Sequence, residues 1–379
     1  MWHSRSPASR SSRWIARQFG SPRSTAGALV IGIALMTNLS GCTSVPTRPS
    51  HSVDMLFAET TSTATPGAAI MVIQDGKVLQ QSAYGMADIE HGVPFETDTS
   101  TRLGSVSKQF TAMAIMILEE EGLLDYDDPI TRFLPEISRI ADGVTIRNLL
   151  NHTSGLPDYY DVMVEVTGVE RPLTRHALDT YAAWGEPVFA PGERYEYSNP
   201  GYELLALIVE RASGERFGDF VEKRIFAELG MKNSVVLDDR HPQLAKRAYG
   251  YRIDGDGFAP NDDDPLNYII GSGGVYSTVE DMYLWDQALY GENLVSKATL
   301  EKAFSPTRLN SGELFPYGFG WRFDEHLGRK RIAHGGAWVG YRAEMLRFPD
   351  EHLTVICLAN RGDVDPTLLC HEIARGYLP

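Results

Sequence analysis

Ser105 and Lys108 stand three residues apart at the head of an almost wholly apolar run, Phe110 to Leu118. If that run is helical, the spacing puts a hydroxyl and an amine on one face, one turn apart. Burial disfavours the charged form of an amine. An uncharged amine beside a serine hydroxyl can take its proton and make it a nucleophile. Lys108 is the one lysine in the chain with serine three residues before it. Taken alone, the pair also reads as an ordinary helix start, with Ser105 as cap and Lys108 reaching back to water.

Two later segments bear on that choice. Tyr197-Ser198-Asn199 follows the turn signal Pro191-Gly192 and precedes an amphipathic run that starts near Tyr202. A phenol can relay protons, and Asn199 offers an amide substrate both a donor and an acceptor. His334-Gly335-Gly336-Ala337 ends a strand pattern. Its glycines let backbone approach closely, and a backbone N–H there can donate to a developing oxyanion. His326-Leu327-Gly328 repeats the His-x-Gly spacing, but among charged residues, and reads as a loop.

The order Ser-x-x-Lys, Tyr-Ser-Asn, His-Gly-Gly resembles the serine β-lactamase and penicillin-binding-protein superfamily, nearest to its class C branch with that branch's D,D-peptidases and esterases. The stretches Leu149 to Leu156 and Gly273 to Thr278 look like recurrent segments of the same family. The resemblance covers roughly residues 52–379. It implies an α+β, β-lactamase-like fold: an antiparallel sheet flanked by helices, with an all-helical subdomain and the cleft at the junction. It implies that Ser105 is acylated, that Lys108 activates it alone or with Tyr197, and that Tyr197 relays protons to the leaving group and the deacylating water. Asn199 would hold a substrate amide. His334, in place of the lysine of the usual Lys-Thr-Gly, would bind a carboxylate or polarise Tyr197, with Gly336 beside the substrate. The N–H groups of Ser105 and Ala337 would form the oxyanion hole.

The implied function is a serine hydrolase acting on small acyl substrates (peptide, ester or amide), of D,D-peptidase or esterase type. A class C-type β-lactamase and a non-catalytic penicillin-binding sensor stay open as alternatives. Histidine is mostly neutral at pH 7, so carboxylate capture at His334 should be weak or pH-dependent, which tilts the expectation away from a strong β-lactamase. No metal or organic cofactor is called for. About 45 residues follow His334, too few for the extra C-terminal barrels of related D-aminopeptidases.

The elements that must position these residues follow from hydropathy. Ser52 to Thr61 reads as a short helix. Ala68 to Ile73 and Val78 to Tyr84, split by Asp75-Gly76, predict a β-hairpin. Helices are expected from Ser105, from Tyr202 to Ala212, from Gly218 to Leu229 and from Asp281 to Leu289. Tyr317 to Phe323, Arg331 to His334, Tyr341 to Phe348 and Leu353 to Leu358 read as strands, and Pro366 to Tyr377 as a closing helix. One sheet built from both termini around a helical insertion, roughly residues 120–290, satisfies this order. Tyr159, Tyr160 and Trp338 are either pocket-lining or packing aromatics. Cys357 and Cys370 lack metal-ligand spacing, and whether they pair is left open.

The 379 residues are 43% hydrophobic with a formal net charge of −15. That balance argues against nucleic acid and anionic lipid surfaces as electrostatic partners. The first 41 residues carry five arginines and no acid, then the apolar stretch Ala26 to Met36 and Leu39-Ser40-Gly41-Cys42. This reads as a signal peptide over 1–41 with a lipobox: Cys42 would be lipidated, 42–51 would be a tether and 52–379 the hydrolase domain. The expected location is the bacterial cell envelope, anchored in the outer membrane and facing the periplasm. Oligomeric state is not readable.

Overall fold

Apolar runs from the two ends of the chain meet in one sheet. The computed structural model describes residues 51–57, 62–184, 186–240 and 244–378. The expected leader, and all of the tether except His51, lie outside them. Strands β1 (Ala68–Gln74) and β2 (Lys77–Tyr84) precede a long middle section, and β3 (Arg322–His326), β4 (Arg329–Trp338), β5 (Tyr341–Phe348) and β6 (Leu353–Ala359) follow it. The helices that matter here are α1 (His51–Phe57), α2 (Lys108–Glu120), α3 (Asn199–Ser213), α4 (Val279–Ala288) and α5 (Pro366–Arg375).

The sheet order is β3-β4-β5-β6-β1-β2. All neighbours are antiparallel, and the N-terminal hairpin joins the C-terminal meander by pairing Ala68 with Ala359. Asp75 and Gly76 both have positive φ, 51° and 72°, as a tight hairpin turn needs. Strand β1 is apolar at nearly every position because both its faces are covered. Ala68, Ile70 and Val72 pack with α1, α5 and Cys357, whereas Ala69, Met71 and Ile73 join the larger core that contains α2. Cys357 and Cys370 are free thiols in the smaller core.

Helix α2 is buried without a break from Lys108 to Leu118. A helix apolar on all sides belongs in a core. Phe110 meets Trp285 of α4 and Phe226 at ring-centroid distances of 4.4 and 5.4 Å. The helix is entered through a short 3-10 turn, Gly104–Ser107, so Ser105 lies just before α2 and not as its cap.

Three expectations are corrected. Tyr317 to Trp321 is a tight loop, not a strand; pairing starts at Arg322 and runs to His326, and Leu327-Gly328 forms the hairpin turn with φ of 53° and 70°. The aromatic-glycine alternation of that loop imitates a strand, but Gly318 lies where a Cβ would come 2.1 Å from the Ala303 carbonyl oxygen. Strand β4 does not end at His334 but continues to Trp338, Gly336 opposite Ala343 and Ala337 opposite Arg342. The middle section is mostly helical but not wholly so: Val235–Val236 and Thr101–Arg102 both pair with Val275–Ser277, and Tyr251–Asp254 pairs with Gly257–Pro260. No described helix is long and apolar enough to cross a membrane.

Candidate active site

Three chain segments converge where the Ser105 turn meets β4 and the start of α3. Lys108 is fully buried, and Ser105 is partly open to solvent. Lys108 Nζ lies 3.1 Å from Ser105 Oγ, 2.7 Å from Asn199 Oδ1 and 3.1 Å from the Ser272 carbonyl oxygen. The last two are acceptors only, so each takes a proton from the amine. The third group within reach of Nζ is Ser105 Oγ. The rings of Tyr197 and Tyr202 lie 4.9 and 5.5 Å from Nζ.

Ser198 caps α3, its hydroxyl accepting from the Gly201 N–H at 3.2 Å, with Pro200 in the first turn. That cap sets Tyr197 and Asn199 on either side of it. Asn199 commits its carbonyl oxygen to Lys108, so its amide nitrogen is what remains to meet a substrate. Tyr197 Oη is buried without a hydrogen-bond partner, and Arg322 stands 5.4 Å from its ring centre.

The glycines of β4 explain how the strand reaches the serine. A Cβ on Gly336 would sit 1.9 Å from the Leu103 carbonyl oxygen and 3.1 Å from the Ser105 nitrogen. On Gly104 it would sit 2.8 Å from the Ala337 nitrogen. Each glycine removes the side chain that would hold the strand away from the Ser105 turn. Gly336 therefore serves close approach, letting the β4 backbone lie against the Ser105 turn.

His334 departs from what its position in the motif implied. It is buried, and both ring nitrogens are committed inside the protein. Ser198 N–H donates to His152 Nδ1 at 3.1 Å, which leaves the proton of a neutral His152 on Nε2. His152 Nε2 then donates to Tyr317 Oη at 3.0 Å, Tyr317 donates to His334 Nε2 at 3.1 Å, and His334 Nδ1 donates to the Gly335 carbonyl at 2.7 Å. Burial first, then the charges of Arg322 and Lys108, hold His334 well below the usual histidine range. Burial, followed by Lys108, does the same for His152. Both rings are thus neutral, and neither offers a substrate carboxylate a charge. His152 also lies against Tyr197, ring centres 4.3 Å apart and planes tilted by 38°.

Of the aromatic candidates, Tyr159 is fully buried against Tyr181 and serves packing. Tyr160 is half-buried, with its hydroxyl 2.7 Å from Ser272 Oγ. Trp338 is half-buried, donates to Asn267 Oδ1 at 2.6 Å and stacks under Arg102. Sequence reasoning passed over His152, Glu203, Ser272, Tyr317 and Arg322. The signal for Glu203 was available: an acid inside the run Tyr202 to Val209, as conspicuous as Lys108 in its own helix.

A serine paired with a buried lysine, under a glycine-bearing antiparallel strand and beside a helical region, defines an acyl-transferring serine hydrolase. The β-lactamase family model matches residues 53–372, and the chain belongs to that family. Over 316 residues it is 38% identical to penicillin-binding protein 4* of Bacillus subtilis, covering 78% of this chain and 68% of that protein. It is 31% identical over 310 residues to the D-aminopeptidase of Brucella anthropi, covering 78% of this chain but 56% of that one. The solved penicillin-binding protein of Bacillus halodurans superposes with a TM-score of 0.72 at 26% identity, over 86% of this chain and 98% of that chain. The D-amino acid amidase of Ochrobactrum anthropi, at 23% identity and a TM-score of 0.74, shares the fold, over 86% of this chain and 97% of that chain.

Proposed function

We propose that the chain hydrolyses peptide, ester or amide substrates through an acyl-enzyme on Ser105, in the manner of a D,D-peptidase or esterase. The observation that carries this is the Lys108 amine, tied by Asn199 and Ser272 and turned toward Ser105 Oγ at 3.1 Å. Lys108 takes the Ser105 proton as Oγ attacks the acyl carbon. The tetrahedral oxyanion is held by the N–H groups of Ser105 and Ala337. Tyr197 passes a proton to the leaving amine or alcohol, and the bond to it breaks. Water then attacks the ester, giving one proton to the same base system, which returns it to Ser105 Oγ as the acyl–oxygen bond breaks and the acid product leaves. Asn199 Nδ2 donates to the substrate amide. With His334 neutral and internally bonded, positive charge beside Tyr197 comes from Arg322, joined by Lys108 once it has taken the Ser105 proton. An uncharged residue where efficient class C β-lactamases carry lysine favours peptidase or esterase chemistry over rapid β-lactam turnover. The names of the relatives point to penicillin as a ligand and to substrates with D-residues.

The Arg-rich leader and Leu-Ser-Gly-Cys motif support, in addition, a lipid anchor on Cys42 and a place in the outer membrane facing the periplasm. Protein beginning at Thr43, mixed with benzylpenicillin beside Ser105→Ala, tests the catalytic reading by intact mass and free drug. A lasting adduct on the wild type alone supports a penicillin-binding peptidase. Drug consumed without lasting adduct indicates β-lactamase. Drug left intact moves the test to 4-nitrophenyl acetate, and turnover by Ser105→Ala equal to wild type there would sink the assignment.

A further inference from the structure

Glu203 is fully buried in α3, one residue after Tyr202 and ahead of the apolar stretch Leu204 to Val209. Burying a carboxylate is costly unless its lone pairs are filled. Here four donors fill them. Oε1 accepts from Tyr160 Oη at 3.0 Å and the Ser272 N–H at 2.8 Å; Oε2 accepts from Thr174 Oγ1 at 2.9 Å and the Gly271 N–H at 2.8 Å. The two amides are consecutive, so one side chain orients a whole stretch of backbone.

The other side of that stretch faces the site. The Gly271 carbonyl accepts from Thr111 of α2 at 2.6 Å, the Ser272 carbonyl from Lys108 at 3.1 Å, and the Gly273 carbonyl from Arg102 at 2.9 Å. A Cβ on Gly271 would sit 2.2 Å from the Tyr202 carbonyl oxygen, so the segment is pressed onto α3 beside Glu203. Tyr160 closes the arrangement by touching both the carboxylate and Ser272 Oγ.

We propose that Glu203 is a positioning residue for the Ser105–Lys108 pair. By gripping the amides of Gly271 and Ser272 it fixes the Ser272 carbonyl. That carbonyl takes one amine proton and so turns the rest of the amine toward Ser105. The inference rests on the reading of Lys108 as the base that activates Ser105. Glutamine cannot replace the acid quietly: its NH2 group must face either Thr174 and Gly271 or Tyr160 and Ser272, all of which are donors in these contacts.

The test compares wild type, Glu203→Gln and Tyr160→Phe, with benzylpenicillin acylation and 4-nitrophenyl acetate turnover as probes and a thermal melt to check folding. A displacement of about 1 Å at a reacting group can cost about 10²-fold. Glu203→Gln is therefore expected to acylate about 10²-fold more slowly, with KM within about threefold of wild type. Tyr160→Phe, which keeps the carboxylate and loses one donor to it, should lose about tenfold in kcat with KM likewise held. If Glu203→Gln does not fold, Tyr160→Phe decides alone. Acylation within about threefold of wild type, or a rise in KM that matches the fall in kcat, overturns the proposal. Wild type lacking any Ser105 adduct or turnover would instead sink the functional reading on which it rests.

Discussion

Replacing Gly336 with alanine should disable the site while leaving the side chains of Ser105, Lys108, Tyr197 and Asn199 unchanged. The added Cβ would lie 1.9 Å from the Leu103 carbonyl oxygen, and real Cβ atoms stay beyond 3.0 Å, so β4 must retreat from the Ser105 turn by at least about 1.1 Å. The obstacle is backbone, which cannot swing aside. The same retreat carries the Ala337 N–H away from the Ser105 N–H. Loss of one oxyanion donor costs about 10²–10³ in rate, and a misplacement of this size about 10². Gly336→Ala is expected to acylate with benzylpenicillin at least about 10²-fold more slowly than wild type, followed by stopped mixing and intact mass. Gly335 supplies the control. Its added Cβ would meet Glu344 Oε2 at 2.6 Å, the end of a side chain that can turn away. Gly335→Ala should stay within about tenfold. If Gly336→Ala acylates as fast as Gly335→Ala while both fold, the account of the oxyanion hole is wrong.

Three other outcomes follow from the same structure. Glu344 is buried behind β4, and burial pushes its carboxyl from 4.5 up to about 7, against the pull of its Thr367 hydrogen bond. Below pH 4.5 both folded and unfolded chains keep the proton; as pH rises toward 7 the unfolded chain releases it first, so stability falls, by about 3 kcal/mol once both are ionised. Glu344→Gln should therefore be stabilising in urea melts at pH 8 and nearly neutral at pH 4.5; equal effects at both would contradict this. Tyr317→Phe strands His152 Nε2 and His334 Nε2, and should cost about 1–3 kcal/mol of stability and alter the imidazole nitrogen spectrum of both rings, which an unchanged spectrum would refute. Arg347 and Asp286 form an ion pair at 2.9 Å that is almost wholly buried; Arg347→Met leaves the acid uncompensated and should cost about 3–5 kcal/mol, measured as a drop in the urea midpoint.

What the chain order declared and what it hid divide along one physical line. Local spacing is written in covalent geometry. Three residues make one turn of a 3-10 helix, so Ser105 and Lys108 had to be neighbours once the Gly104–Ser107 turn led into α2, and α2 had to form in a core because Phe110 to Leu118 is almost wholly apolar. Asp75-Gly76 dictated the hairpin through its positive φ values. Strands β5 and β6, and the sheet built from both termini, followed from continuous apolar runs; the bounds of β3 and β4 did not. Contacts across long stretches of chain carry no such signature. The Ser272 carbonyl is 164 residues from Lys108, and Asn199 is 91. Tyr317 meets His152 from 165 residues away. Only the closure of the sheet against the helical region brought these groups together. That closure made His334 a buried, internally bonded ring in place of a carboxylate-facing one, and it gave Glu203 its grip on the backbone beside Lys108. Residue type could announce a serine and an amine one turn apart; which lone pair faces which proton was decided by packing.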